Sequence, residues 1–222
     1  PPCSKTWVTE QKEAIDMLFD ILALISVLII ILLLGRVVNI FPSLMACTLR
    51  WKESVNLEAS VKHSLDRDML AIAMILPFCL VVEKFGLYTP SLTATLGPSL
   101  HLCAVIGTFL LYYLIRRMLE RVIRPQKLAP KTYRTAGRAS FTFFIILTFT
   151  LLAMGGVMSF IDIEESTIRS AMLCVSALIY GLFLLRKLQI FISGCSFFAG
   201  FLYLCALEFL PTGALVASAI IF

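Results

Sequence analysis

Charge is what this sequence has least of. Only 15% of its 222 residues are Asp, Glu, Lys or Arg, where a soluble domain carries about 25%. Histidine is nearly missing as well. His63 and His101 are the only two, too few for a histidine-rich metal site, so no metal is expected. None of the seven cysteines forms a C-x-x-C pair. Cys79, Cys103, Cys174, Cys195 and Cys205 sit in apolar runs, as small packing residues do, and neither a disulfide framework nor a zinc site is expected. The sequence has no nucleophile–histidine motif, no paired intramembrane aspartates, no Walker loop and no lipid-phosphatase signature. Neither enzymatic activity nor a cofactor is therefore expected. The chain opens on Pro1-Pro2 rather than Met, and we expect further residues upstream of it.

What fills the chain is apolar: 59% of it is hydrophobic, with a mean hydropathy of +0.94. A bilayer-crossing helix needs about 20 such residues in a row. The expected fold is all-α, a polytopic membrane bundle of about six transmembrane helices forming a single domain. The first span covers residues 17–41, with Asp16 and Asp20 at its start and Phe41-Pro42-Ser43 at its end. Residues 49–68 are mixed in charge, with Leu57, Val61 and Leu65 four apart. That spacing predicts an amphipathic helix on the cytoplasmic interface, anchored by Trp51. The second span, 69–88, contains Pro77 and should kink there. The third span is 99–115.

Residues 116–138 form a basic segment, read as a cytoplasmic loop. Arg116, Arg117, Arg121, Arg124, Lys127, Lys131, Arg134 and Arg138 face a single acid, Glu120. The fourth and fifth spans are 139–161 and 168–185, on either side of an acidic connector. The tail from Leu188 to Phe222 contains one charge, Glu208, and has two readings. One is a short interfacial stretch followed by a single span, 196–218. The other is a full span and then a half-span after Pro211. The first is favoured.

Charge asymmetry orients the bundle. With the N-terminus outside, fifteen of the nineteen basic residues fall on the inner side, and only Lys5, Lys12, Lys84 and Arg169 fall outside. The reverse orientation violates the positive-inside rule.

Glu208 is the sharpest candidate site. A carboxylate in an apolar run must be protonated, paired or wet. If its helix starts near Ser196, it lies roughly 18 Å deep at 1.5 Å per residue; if the helix starts at Leu188, it lies roughly 30 Å along, at the surface. Cys205 and Thr212 share its face at helical spacing. Pro211 removes the amide that would bond the carbonyl of Leu207. A buried structural hydrogen bond is the leading reading, with proton or ion handling second. His101 reads as a hydrogen-bonding packing residue. Gly155, Gly156 and Ser159, with Ser196 and Gly200, suit close helix packing. The basic segment suits anionic lipid or a cytoplasmic partner. Tyr133 stands alone in it, so direct nucleic-acid binding is not expected.

The run Leu202-Tyr203-Leu204-Cys205-Ala206-Leu207-Glu208-Phe209-Leu210-Pro211 resembles the closing Leu-Tyr-Leu-Cys-x-Leu-Glu-x-Leu-Pro motif of an uncharacterised membrane-protein family of the Bacteroidetes. The early order is also similar: Trp7, one apolar helix, then a basic stretch through Arg50 and Arg67. The resemblance implies a bacterial inner-membrane location and makes Glu208 and Pro211 part of a motif. It implies no activity and no catalytic residue. The functional expectation is a non-enzymatic accessory or scaffold subunit of a larger inner-membrane assembly, in contact with lipids and other subunits. The alternative is a small proton- or ion-coupled carrier using Glu208.

Overall fold

A computed structural model describes residues 3–50, 53, 60–88, 98–123, 130–161, 164–194 and 196–221. Those residues are helical apart from turns and connectors. Helix α1 spans Cys3–Leu49, α2 Val61–Ala73, α3 Ile75–Lys84, α4 Pro98–Val122, α5 Pro130–Ser159 and α6 Glu165–Ile192. The last rod is α7, Phe197–Leu204, then a π-helical turn, Cys205–Phe209, then α8, Leu210–Ile221.

Among the described residues, five helices are long and apolar enough to cross a membrane: α1, α4, α5, α6 and the last rod. A sixth rod is formed by α2, charged over its first turns, and the apolar α3 together. Met74 separates them, three residues before Pro77. Pro77 has no amide to offer the carbonyl of Ala73, so the α-helical ladder breaks there. The rod ends at Gly86, whose φ of 56° lets the Leu87 amide turn back to the carbonyl of Val82 at 2.9 Å.

Four expectations are corrected. Helix α1 does not stop at Pro42 but runs through it to Leu49. Beyond the proline, Leu44 and Cys47 are fully buried against Leu70, Met74 and Ile145, and that packing offsets the lost hydrogen bond. Residues 61–68 are not a separate interfacial helix. They are the opening turns of α2, continuous with the span that follows. Their buried face carries Ser64 and Arg67, while Leu65 is exposed. Trp51 and Leu57 lie outside the described residues. The basic segment is mostly not a loop, because α4 continues to Val122 and α5 starts at Pro130. Finally, 188–192 is not an interfacial stretch. It completes α6 to Ile192, and the last rod then rises as one span.

Helix α5 is central. It packs on α2, α3 and α6, and more lightly on α1; α4 packs instead on α3 and on the last rod. Although consecutive, α4 and α5 are not a close pair. Aromatic rings fill the space between them: Phe109 stacks on Phe144 at 5.4 Å, with Phe78 of α3 against both. The last rod lies against both α4 and α6, and this position sets up the site.

Candidate functional site

The π turn presents Glu208 to the interior. The amide of Leu210 bonds the carbonyl of Cys205, five residues back, which adds a residue to the turn. Pro211 follows at once and is buried. A proline ring collides with the carbonyl four residues before it in a regular α-helix, and the wider turn relieves that collision at Leu207. Single π turns of this kind are rare and recur at functional sites.

The Glu208 side chain is fully buried. Its Oε1 accepts from Arg116 Nη2 of α4 at 2.6 Å and from Lys187 Nζ of α6. Lys187 is itself fully buried. Oε2 accepts no hydrogen bond among the described residues. Glu120, one turn beyond Arg116 on α4, lies 3.7 Å from Arg116 Nε. The interior therefore balances two cations, Arg116 and Lys187, against two carboxylates, Glu208 and Glu120. The ring of Phe183 lies 5.5 Å from the Arg116 guanidinium and 5.7 Å from Lys187 Nζ, adding cation–π attraction.

Thr212, one turn beyond Glu208, extends the network. The Tyr180 hydroxyl donates to Thr212 Oγ1 at 2.9 Å, and the Tyr112 hydroxyl lies 3.2 Å from the same oxygen. Cys205 is half-buried at the start of the π turn. Glu208 and Thr212 thus form one polar network that ties the last rod to α4 and α6, with Pro211 buried between them. Such a network in an apolar bundle is costly to break, since each group left unpaired keeps its full desolvation cost.

The eight basic residues of 116–138 divide. Arg116 does not face outward but turns inward to Glu208. Arg138 also turns toward the protein: it donates to Ser64 Oγ of α2 at 2.8 Å and lies 3.9 Å from Asp68. Arg117, Arg121 and Arg134 are exposed. Arg124, Lys127 and the side chain of Lys131 lie outside the described residues.

Sequence reasoning missed Lys187 as a partner and assigned Arg116 to the surface. Both sit at the basic edge of an apolar run, where topology alone explains a cation. The signal that could have found them is charge balance, because a buried carboxylate needs a cation on a neighbouring helix.

At the same basic end, Arg67 is fully buried on α2 and donates to Asp68 Oδ1 at 2.7 Å. Arg186 donates to the carbonyls of Thr48 and Leu49, both at 2.8 Å, closing the end of α1. At the opposite end His101 Nδ1 lies 2.5 Å from Glu83 Oε2. Among the described residues, no three His, Cys, Asp or Glu side chains converge to hold a metal ion. Comparison with protein-family models, with curated proteins and with solved structures found no match.

Proposed function

We propose that this chain is a non-enzymatic accessory or scaffold subunit of a larger assembly in a bacterial inner membrane, with its N-terminus outside. The observation that carries the reading is the pairing of buried Glu208 with both Arg116 and Lys187. One carboxylate oxygen joins α4, α6 and the last rod. Parting Glu208 from fully buried Lys187 would leave that cation unpaired in a low-dielectric interior, which costs several kcal/mol. A carrier that separated these groups would meet that cost on every turnover. A frame that holds its helices still meets it only when it unfolds. The tail resemblance supports the bacterial inner membrane, and the gathering of basic residues at one end supports the orientation.

The test begins with native membranes. The tagged chain, extracted in mild detergent, should migrate with a partner subunit, and Glu208→Leu should reduce both that complex and the chain's abundance. Migration of the wild-type chain alone contradicts the scaffold reading. If Glu208→Gln abolished a transport activity at undiminished abundance, the carrier reading would take its place.

A further inference from the structure

The geometry points to a binding site for a phosphate-bearing anion, an acidic lipid headgroup, in the cleft between α4 and α5 at the basic end of the bundle. The cleft exists because these two helices, though consecutive, are not a close pair. Its volume is about 460 Å³, room enough for a headgroup. Arg116, Arg117, Arg121, Arg134 and Arg138 line it, against one acid, Glu120. Two of these arginines already have partners inside the protein, Arg116 on Glu208 and Arg138 on Ser64. The other three, Arg117, Arg121 and Arg134, are exposed. Glu120 approaches Arg117 only at 3.9 Å and so offsets its charge weakly.

Guanidinium groups suit this ligand chemistry. Each is planar, permanently charged and able to give two parallel hydrogen bonds to a phosphate. The inner wall is apolar and aromatic. Tyr113 and Phe141 lie with ring centroids 6.3 Å apart, and Arg117 lies over Tyr113 at 5.9 Å. A site with a charged rim and an apolar wall between two membrane-crossing helices matches a molecule with a charged head and an apolar tail. A soluble phosphate would use only the rim. Gly137 lies at the cleft beside Glu120, and a Cβ there would stand in ordinary contact at 3.7 Å. A longer side chain at 137 would reach into the cleft without altering any charge.

The test uses the full chain in nanodiscs of phosphatidylcholine, with or without added phosphatidylglycerol. Thermal stability and the lipid retained on extraction are both measured. Phosphatidylglycerol should raise the melting temperature and be retained in preference to phosphatidylcholine. Arg117→Gln, Arg121→Gln and Arg134→Gln together should weaken its binding about 100-fold, at about fivefold for each arginine beside an acidic surface. These three do not touch Glu208, so the fold in phosphatidylcholine should be unchanged. Gly137→Leu should block retention with every charge in place. If inorganic phosphate alone gave the same variant-sensitive stabilisation, the anion site would stand and its ligand would come from solution. Equal stability and retention in the two lipids, or retention unaffected by both the triple variant and Gly137→Leu, would overturn the proposal.

Discussion

Glu208 was legible in the sequence because it is the only charge in a long apolar tail. Its partners were not, since Arg116 and Lys187 lie where any membrane protein keeps cations. The widened turn at Cys205–Phe209 was partly legible. Pro211 announced a missing hydrogen bond, but not that the helix would add a residue instead of bending. The small residues show the same limit. Gly155 and Gly156 look equivalent in sequence, yet a Cβ at Gly155 would stand 3.0 Å from the Phe85 ring and one at Gly156 would meet nothing within 4 Å. We expect Gly155→Ala to lower stability by about 1 kcal/mol through overpacking, and Gly156→Ala to leave it unchanged or slightly higher. Thermal unfolding of the two variants in the same detergent checks this; equal losses would contradict the packing described.

At the scale of elements, hydropathy found each long apolar rod among the described residues but set several ends too early. Hydropathy stops at the first charges, whereas a helix stops where its backbone loses partners or packing. Arg116, Arg117 and Arg121 therefore stay helical on α4, and α6 continues past Arg186 and Lys187. The two internal prolines differ for the same reason. Around Pro42 the buried side chains of Ile40, Leu44 and Cys47 hold α1 together, while at Pro77 the rod separates into α2 and α3. The end of α1 depends on Arg186, which bonds its last carbonyls from another helix. Replacing Arg186 with Gln should speed amide exchange over 45–50 by about fivefold, the equivalent of one hydrogen bond of about 1 kcal/mol. Exchange should stay unchanged at the far ends of α5 and α6. Uniform acceleration would mean that Arg186 supports the whole bundle and not one helix end.

At the scale of the whole molecule, the basic residues converge on one end of a membrane bundle, and the orientation follows from the side that end occupies. A single cysteine placed between α4 and α5, in a chain freed of its own cysteines, should resist a membrane-impermeant reagent in intact cells. A cysteine placed between α5 and α6 should react. The opposite pattern would invert the topology. Within that frame, the claim on which the rest depends is that Glu208, Arg116 and Lys187 lock three rods together as one charged unit. The most direct test is a double-mutant cycle on thermal or denaturant unfolding. Glu208→Gln alone should cost about 3–5 kcal/mol, because it leaves fully buried Lys187 without its carboxylate, and Lys187→Met alone should cost less, because Arg116 still serves Glu208. Combining them should recover much of the loss, because Arg116 and Glu120 then balance each other. Additive losses in the double variant would contradict the lock.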